Sequence, residues 1–134
     1  MPDDAALLTL DLPSRPEAPS AARKALTALN GSLHLLSSSR LLDVQLLVSE
    51  IVTNAVVHAA TEDTIVLAVL ATDEMVRVEI YDRGGGFTPP ESISKREPTS
   101  GGWGLPIIDA VAQRWGVDHS DGTTVWFEVD RPRD

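Results

Sequence analysis

Residues 41–60 read LLDVQLLVSEIVTNAVVHAA and contain the most informative pattern of the chain. Apolar residues cover most of the helix that it predicts, while Glu50, Asn54 and His58 stand four residues apart and therefore share one face. Burying a carboxylate or an amide costs on the order of several kcal/mol unless the group has internal partners or a bound ligand. The stripe therefore favours a partly enclosed polar site, although a solvated helix face that ends in histidine explains the same spacing.

The segments around this helix predict an α+β fold. Strand patterns occur at residues 7–12, 64–71, 75–82, 117–121 and 123–130. Helix patterns occur at about 17–30, where Gly31 is expected to end the helix, at about 40–60 and at 105–115. Residues 83–102 are rich in glycine and proline, which predicts a long loop. This order predicts a two-layer α/β sandwich with a mixed, mostly antiparallel sheet and helices on one face, formed by residues 1–134 as one domain.

The composition excludes several functional classes. The chain has 134 residues, a net charge of -9 and no basic block, so we expect no nucleic-acid partner. It contains no cysteine, which excludes disulfides and thiolate metal sites. The longest apolar run, residues 65–71, is too short to span a bilayer, and the N-terminal MPDDAALL is acidic where a signal peptide is basic. We therefore expect a cytoplasmic protein without membrane association.

A second motif, YDRGGGFTPP at residues 81–90, suits recognition of a purine. Asp82 ends a predicted strand, and Gly84, Gly85 and Gly86 follow it. A carboxylate at a strand end can accept a hydrogen bond from an exocyclic amine, and glycines let the backbone lie flat against a planar ring. Taken alone, the same residues also suit an ordinary turn.

A third motif, TSGGWGLPIIDAVAQRWG at residues 99–116, suits phosphate binding. Gly101, Gly102 and Gly104 lead directly into a helix that has Pro106 in its first turn. The backbone amides and the positive end of the dipole at such a helix start attract anions. An ordinary glycine-rich helix entry explains the motif equally well when it is considered alone.

The order and spacing of the three motifs resemble the N, G1 and G2 boxes of the Bergerat ATP-binding fold, which gyrases, chaperones and histidine kinases share. The segment DGTTVWF at residues 121–127 looks like the closing Gly-Thr strand motif of that fold. The resemblance covers nearly the whole chain. The segment SEIVTNAVVHA and the short lid look most similar to the anti-sigma factor serine kinases of bacterial partner-switching modules.

The resemblance implies a role for each site residue. It implies that Asn54 coordinates a Mg²⁺ ion bridging the ATP phosphates, and that Glu50 is the general base for a serine on a protein substrate. Asp82 would receive the adenine amino group. The other implied ATP contacts are Gly84 and Gly86 in the adenine pocket, Gly102, Gly104 and Leu105 near the phosphates, and Thr123 in support of Asp82.

The resemblance also implies partners, namely a STAS-type anti-sigma factor antagonist and a sigma factor, with homodimerisation as a further possibility. Two alternatives stay open, a non-catalytic ATP-binding module and a detached histidine-kinase catalytic domain. Trp103 departs from the family, because many relatives carry a small or basic residue between the lid glycines. Lys95 and Arg96 could reach the γ-phosphate instead, or could be solvated loop charges.

Overall fold

The computed structural model describes residues 6–58, 64–83, 105–119 and 121–131. Their elements are β1 (Ala6–Pro13), α1 (Ala18–Leu33), α2 (Ser38–His58), β2 (Thr64–Ala71), β3 (Met75–Asp82), α3 (Leu105–Val111), β4 (Arg114–Asp118) and β5 (Thr123–Asp130). This order of helices and strands is the predicted one. Across these ranges, no helix combines the length and the apolar character that crossing a membrane requires.

The strands form one five-stranded sheet in the order β1-β2-β3-β5-β4. Each neighbouring pair is antiparallel, so the described sheet lacks the parallel component that the prediction of a mixed sheet allowed. The strand β3 is central, and Asp82 at its end pairs with Ile65 of β2 and with Thr123 of β5. The α+β sandwich is confirmed, and its topology places the predicted adenine-binding carboxylate in the middle of one end of the sheet.

The core lies between the helices and one face of the sheet. Alternate residues of each central strand are buried there, as the two-residue repeat of a strand requires. Leu47, Val48 and Val52 of α2 are fully buried against this face. The strand residues that join them in the core are Ile65, Leu67, Val69, Val76, Val78, Ile80, Val125, Phe127 and Val129. The opposite face of the sheet is less buried and mixes charged side chains such as Arg77 and Glu128 with apolar ones such as Val66.

A buried amide fixes the helix α2 against α1. Gln45 is only 9% exposed, and its Nε2 donates to the carbonyl oxygen of Arg23 and to the hydroxyl of Thr27, each at 2.8 Å. Both hydrogens of the amide are therefore satisfied, so its burial carries no desolvation penalty from unmade bonds. With Gln45 turned towards α1, Ile51 and Ala55 face the sheet.

The prediction that Gly31 ends the first helix is wrong. The helix α1 continues to Leu33, and the left-handed residue is His34, with φ 52° and ψ 48°. The backbone N–H of His34 donates to the carbonyl oxygen of Asn30 at 2.8 Å. The side chain of Asn30 then exchanges two hydrogen bonds with the backbone of Leu36, at 2.8 and 3.0 Å. These bonds stabilise a turn at His34 that a search for glycine does not reveal.

The predicted extent of the third helix is also wrong. The helix α3 ends at Val111 instead of 115, because the chain joins the edge of the sheet. The N–H of Gln113 donates to the carbonyl oxygen of Glu128 at 2.9 Å, and β4 follows immediately. Trp115 lies in that strand and its indole Nε1 donates to Asp109 of α3 at 2.8 Å. A tryptophan is compatible with a helix or a strand, so the pairing of this segment with β5 determines that Trp115 lies in a strand.

Candidate functional site

The helix α2 presents Glu50 and Asn54 on successive turns. Asn54 is 7% exposed, whereas Glu50 is only partly buried. The two residues share one side of the helix, so this side passes from the surface at Glu50 into the interior at Asn54. This agrees with the expected partial enclosure of the polar stripe. The side chain of His58, the third member of the stripe, lies outside the description.

Asp82 occupies the buried end of β3. It is 3% exposed and points to the same face of the sheet as the core residues Val78 and Ile80. Thr123 pairs with it across the β3–β5 ladder and is also 3% exposed. Thr123 shares its buried face with alternate apolar residues of β5, as the strand pattern predicts. A carboxylate and a hydroxyl therefore lie next to each other at the end of an apolar core.

A small pocket lies between α2 and this end of the sheet. The residues that line it are Ile51, Ala55, Ile80, Asp82, Thr123 and Val125. Four apolar walls with one carboxylate and one hydroxyl suit a planar apolar ring that carries an amine, which is the chemistry of adenine. The structure thus brings Asp82 and Thr123 together in one pocket. It places Glu50 and Asn54 on the helix that forms the pocket wall, but not among the lining residues.

The turn that precedes β5 requires glycine. Gly122 has a φ of +79°, in the left-handed region. A β-carbon there would lie 2.8 Å from the hydroxyl of Tyr81 and 2.9 Å from the backbone oxygen of Asp82. Both contacts are shorter than real β-carbons make, so only glycine lets this turn close against the end of β3. The close approach holds Thr123 directly opposite Asp82.

Several predicted contacts lie outside the described residues. They are Gly84, Gly86, Gly102 and Gly104, together with Lys95, Arg96 and Trp103 of the predicted lid. Leu105 is the first residue of α3. Ile108, one turn further on, is fully buried, and α3 contacts α2. The helix into which the predicted phosphate-binding motif leads is therefore held against the helix that carries Glu50 and Asn54.

The residues that the structure describes contain no group of three or more His, Cys, Asp or Glu side chains that could hold a metal ion. Mg²⁺ in nucleotide sites commonly takes one or two protein oxygens and completes its shell with phosphate oxygens and water. The side-chain amide of Asn54 contains an oxygen of this kind. The residues present therefore fit a Mg²⁺ ion that binds together with a nucleotide, and not a protein-only metal cage.

The strongest charge cluster among the described residues lies on the other face of the sheet. The guanidinium of Arg77 donates to Glu79 at 2.7 Å and to Glu128 at 2.8 Å, and it stacks 4.2 Å from the ring centre of Trp126. Arg114 donates to the same Glu128 at 2.6 Å. Burial alone would raise the pKa of Glu128, but the hydrogen bonds from Arg114 and Arg77 outweigh it and lower that pKa. Arg114 also pairs with Asp130 at 3.3 Å, so two guanidinium groups meet three carboxylates. Sequence patterns give no sign of this cluster, which faces away from the pocket.

Fold and pocket together define a two-layer α+β domain with a small pocket of apolar residues, one carboxylate and one hydroxyl at one end of its sheet. The family model of the histidine kinase-like ATPase domain matches residues 12–129, and the chain belongs to this family.

Solved structures agree with this assignment. The crystal structure of the RsbU and RsbW domains of Rv1364c from Mycobacterium tuberculosis is similar over 93% of this chain, with a TM-score of 0.71 and 28% identity. This chain spans only 32% of that one. The SiaB-SiaC complex from Pseudomonas aeruginosa matches 96% of this chain and 92% of that one, with a TM-score of 0.68; at 12% identity it shows the fold alone. None of the curated proteins matches the sequence significantly.

Proposed function

We propose that this protein is an ATP-dependent serine/threonine kinase of the anti-sigma factor type, which phosphorylates a STAS-type anti-sigma factor antagonist and alternately binds a sigma factor. Family membership and the likeness to a chain with an RsbW domain support the use of ATP. The single observation on which the kinase proposal depends is the arrangement on α2. There a partly exposed Glu50 stands one turn before the buried Asn54, beside a pocket that contains Asp82.

In this proposal Asp82 accepts a hydrogen bond from the adenine amino group. Ile51, Ala55 and Val125 would cover the ring, since they form the apolar walls of the same pocket. Thr123 would orient the carboxylate of Asp82 directly or through water. The glycines at positions 84 and 86 would complete the pocket, as the family resemblance implies.

The catalytic end of the site is assigned to α2 and to the loop before α3. Bound Mg-ATP supplies the phosphoryl group that is transferred and the positive charge that balances it. Asn54 would hold the metal ion, and the backbone at Gly102 and Gly104 would contact the phosphates. Glu50 would accept the proton of the substrate serine hydroxyl, and its partial exposure leaves its carboxylate accessible from outside.

A non-catalytic nucleotide-binding module is the second candidate. Such a module would use Asp82 for the base and Asn54 for the metal ion, and it would give Glu50 no function. A carboxylate that stands at the surface one turn from the proposed metal ligand is what a proton acceptor requires, so Glu50 favours the kinase.

The test uses labelled ATP, Mg²⁺ and each STAS-type protein encoded in the same genome. We expect the wild-type protein to place the label on serine, and Glu50→Ala to slow transfer by about 100-fold or more, because a positioned base contributes at least that much. ATP affinity should stay within about twofold, since Glu50 does not line the adenine pocket.

Asp73→Ala is the matched control, because Asp73 is an exposed acid in the β2–β3 turn, at the end of the sheet away from Asp82. Its transfer rate should equal that of the wild type. Full activity of Glu50→Ala would remove Glu50 as the base. A wild-type protein that binds ATP and transfers no phosphate to any of these substrates would leave the binding module as the function.

A further inference from the structure

We propose that three exposed apolar residues of α2, Leu42, Leu46 and Val57, form the docking surface for the protein substrate of this kinase. The three residues are named the α2 stripe below. The inference rests on the proposed function and extends it, because it assigns the surface that the serine-bearing partner covers.

The α2 stripe stands out from the rest of the described surface. Leu42, Leu46 and Val57 are 66%, 50% and 66% exposed, and the other large exposed hydrophobic residues among the described ranges, Leu7 and Leu33, lie on different elements. At 100° per residue the three positions fall within an arc of about 60° on the helix surface. Leu42 and Leu46 are neighbours one turn apart, and Val57 lies about 16 Å beyond Leu46 on the same face, so a partner that covers this face meets apolar side chains on both sides of Glu50.

Glu50 lies at the margin of the same face. Along the helix axis it is about 6 Å from Leu46, about 10 Å from Val57 and about 12 Å from Leu42, at 1.5 Å per residue. A specific protein contact covers about 800 Å² on each partner, which corresponds to a circle of roughly 16 Å radius. A contact of this size that is centred on Glu50 reaches all three apolar side chains.

The position of Glu50 beside the α2 stripe also indicates which molecule covers the stripe. A second copy of the chain seated on the α2 stripe would cover Glu50 and block access of any substrate to it. The stripe is therefore assigned to the substrate protein itself. The chemistry that fits is an apolar surface around the acceptor serine, because Thr53, which lies within the same arc, is exposed and uncharged.

The first test separates docking from chemistry. Leu46→Gln keeps a good helix former and removes the apolar contact. We expect it to raise the KM for the STAS-type substrate about tenfold, with kcat and ATP affinity within about twofold of the wild type.

The matched control for this first test is Leu7→Gln. Leu7 is 43% exposed and lies on β1, at the end of the sheet away from Asp82. The variant Leu7→Gln should leave the KM for the substrate, kcat and ATP affinity unchanged. An unchanged KM for Leu46→Gln beside an active wild type would overturn the docking surface and leave the kinase intact. Absence of transfer by the wild type would overturn both proposals.

The second test maps the covered surface directly. Because the chain has no cysteine, Leu46→Cys and Leu7→Cys each introduce one thiol as the sole target for a maleimide. Unphosphorylated substrate protein with ATP should slow modification at position 46 several-fold and leave position 7 unchanged. Equal protection at both positions contradicts the inference. Protection of position 46 that grows with the concentration of the kinase variant alone would assign the stripe to self-association and also contradict it.

Discussion

The two ends of the β3–β5 strand pair use a carboxylate in opposite ways. At one end, Asp82 pairs with Thr123 on the buried face and lines an apolar pocket. Towards the other end, Arg77 pairs with Glu128 on the outer face, and Arg114 also binds that glutamate. Glu128 accepts hydrogen bonds from two guanidinium groups and so links neighbouring strands of the sheet. A buried carboxylate in an apolar pocket instead suits a ligand with a hydrogen-bond donor.

The largest expected effect comes from replacing the carboxylate of Asp82 by its amide, with the same change at Glu128 as the control. Asp82→Asn should weaken ATP binding by about 100-fold or more, because the amide turns donors towards the adenine amine and leaves buried groups unmatched. Glu128→Gln should leave ATP affinity within about twofold, since it lies on the other face of the sheet. Titration calorimetry of both variants decides this. Normal affinity of Asp82→Asn would remove the adenine assignment.

Two glycines test the difference between a turn beside the pocket and a contact elsewhere in the sheet. A β-carbon at Gly116 would lie 2.8 Å from the ring of Trp126, and one at Gly122 would meet Tyr81 and the backbone of Asp82. Alanine at either position should lower the free energy of unfolding by about 1–3 kcal/mol, with the larger loss at Gly122 because of its positive φ. Only Gly122→Ala should also weaken ATP binding, by about tenfold.

Denaturant unfolding and calorimetry measure the two effects of the glycine variants separately. The control within this pair is Gly116→Ala, which tests whether loss of stability alone reduces affinity. If both variants lose ATP affinity equally, the turn at Gly122 has no special part in holding Thr123 opposite Asp82.

The smallest expected effect is a dependence of stability on pH. The folded protein lowers the pKa of Glu128 below its ordinary value of 4.5, so the ionised form is favoured by folding. This contribution is complete above the ordinary pKa and is lost as the pH falls through the lowered one. Glu128→Gln should cost about 1 kcal/mol at neutral pH and show a weaker loss of stability in acid. Urea unfolding at several pH values from neutral to below pH 4 measures the free energy of unfolding of both proteins. Parallel plots of this free energy against pH would show that the ion pairs of Glu128 have no effect.

The parts of the fold predicted correctly are those that local pattern determines. The limits of β2, β3 and β5 were predicted to the residue, because alternation within each strand reports which face is buried. The ends of α1 and α3 were predicted wrongly. The helix α1 ends at His34, where the side chain of Asn30 binds the backbone of Leu36. The helix α3 ends early because Trp115 pairs with β5. Neither contact is visible in the periodicity of the sequence.

The candidate site divides in the same way. The four-residue spacing predicted that Glu50 and Asn54 share a helix side, and strand alternation predicted the inward position of Thr123. The need for glycine at position 122 depends on how closely Tyr81 approaches from β3, and the Arg77–Glu128 pair depends on strand register. Sequence patterns cannot predict the need for glycine at position 122 or the Arg77–Glu128 ion pair, since both result from the pairing of segments that are distant in sequence.

The indole of Trp115 offers an optical probe of the helix α3, which follows the glycine-rich segment of the sequence. Its Nε1 is bonded to Asp109 of α3 at 2.8 Å, while its backbone is fixed in β4. Any displacement of α3 relative to the sheet must stretch or break this bond, and the emission of an indole depends strongly on such a partner. With Trp103 and Trp126 replaced by phenylalanine, the remaining fluorescence would follow that helix in real time as nucleotide is added.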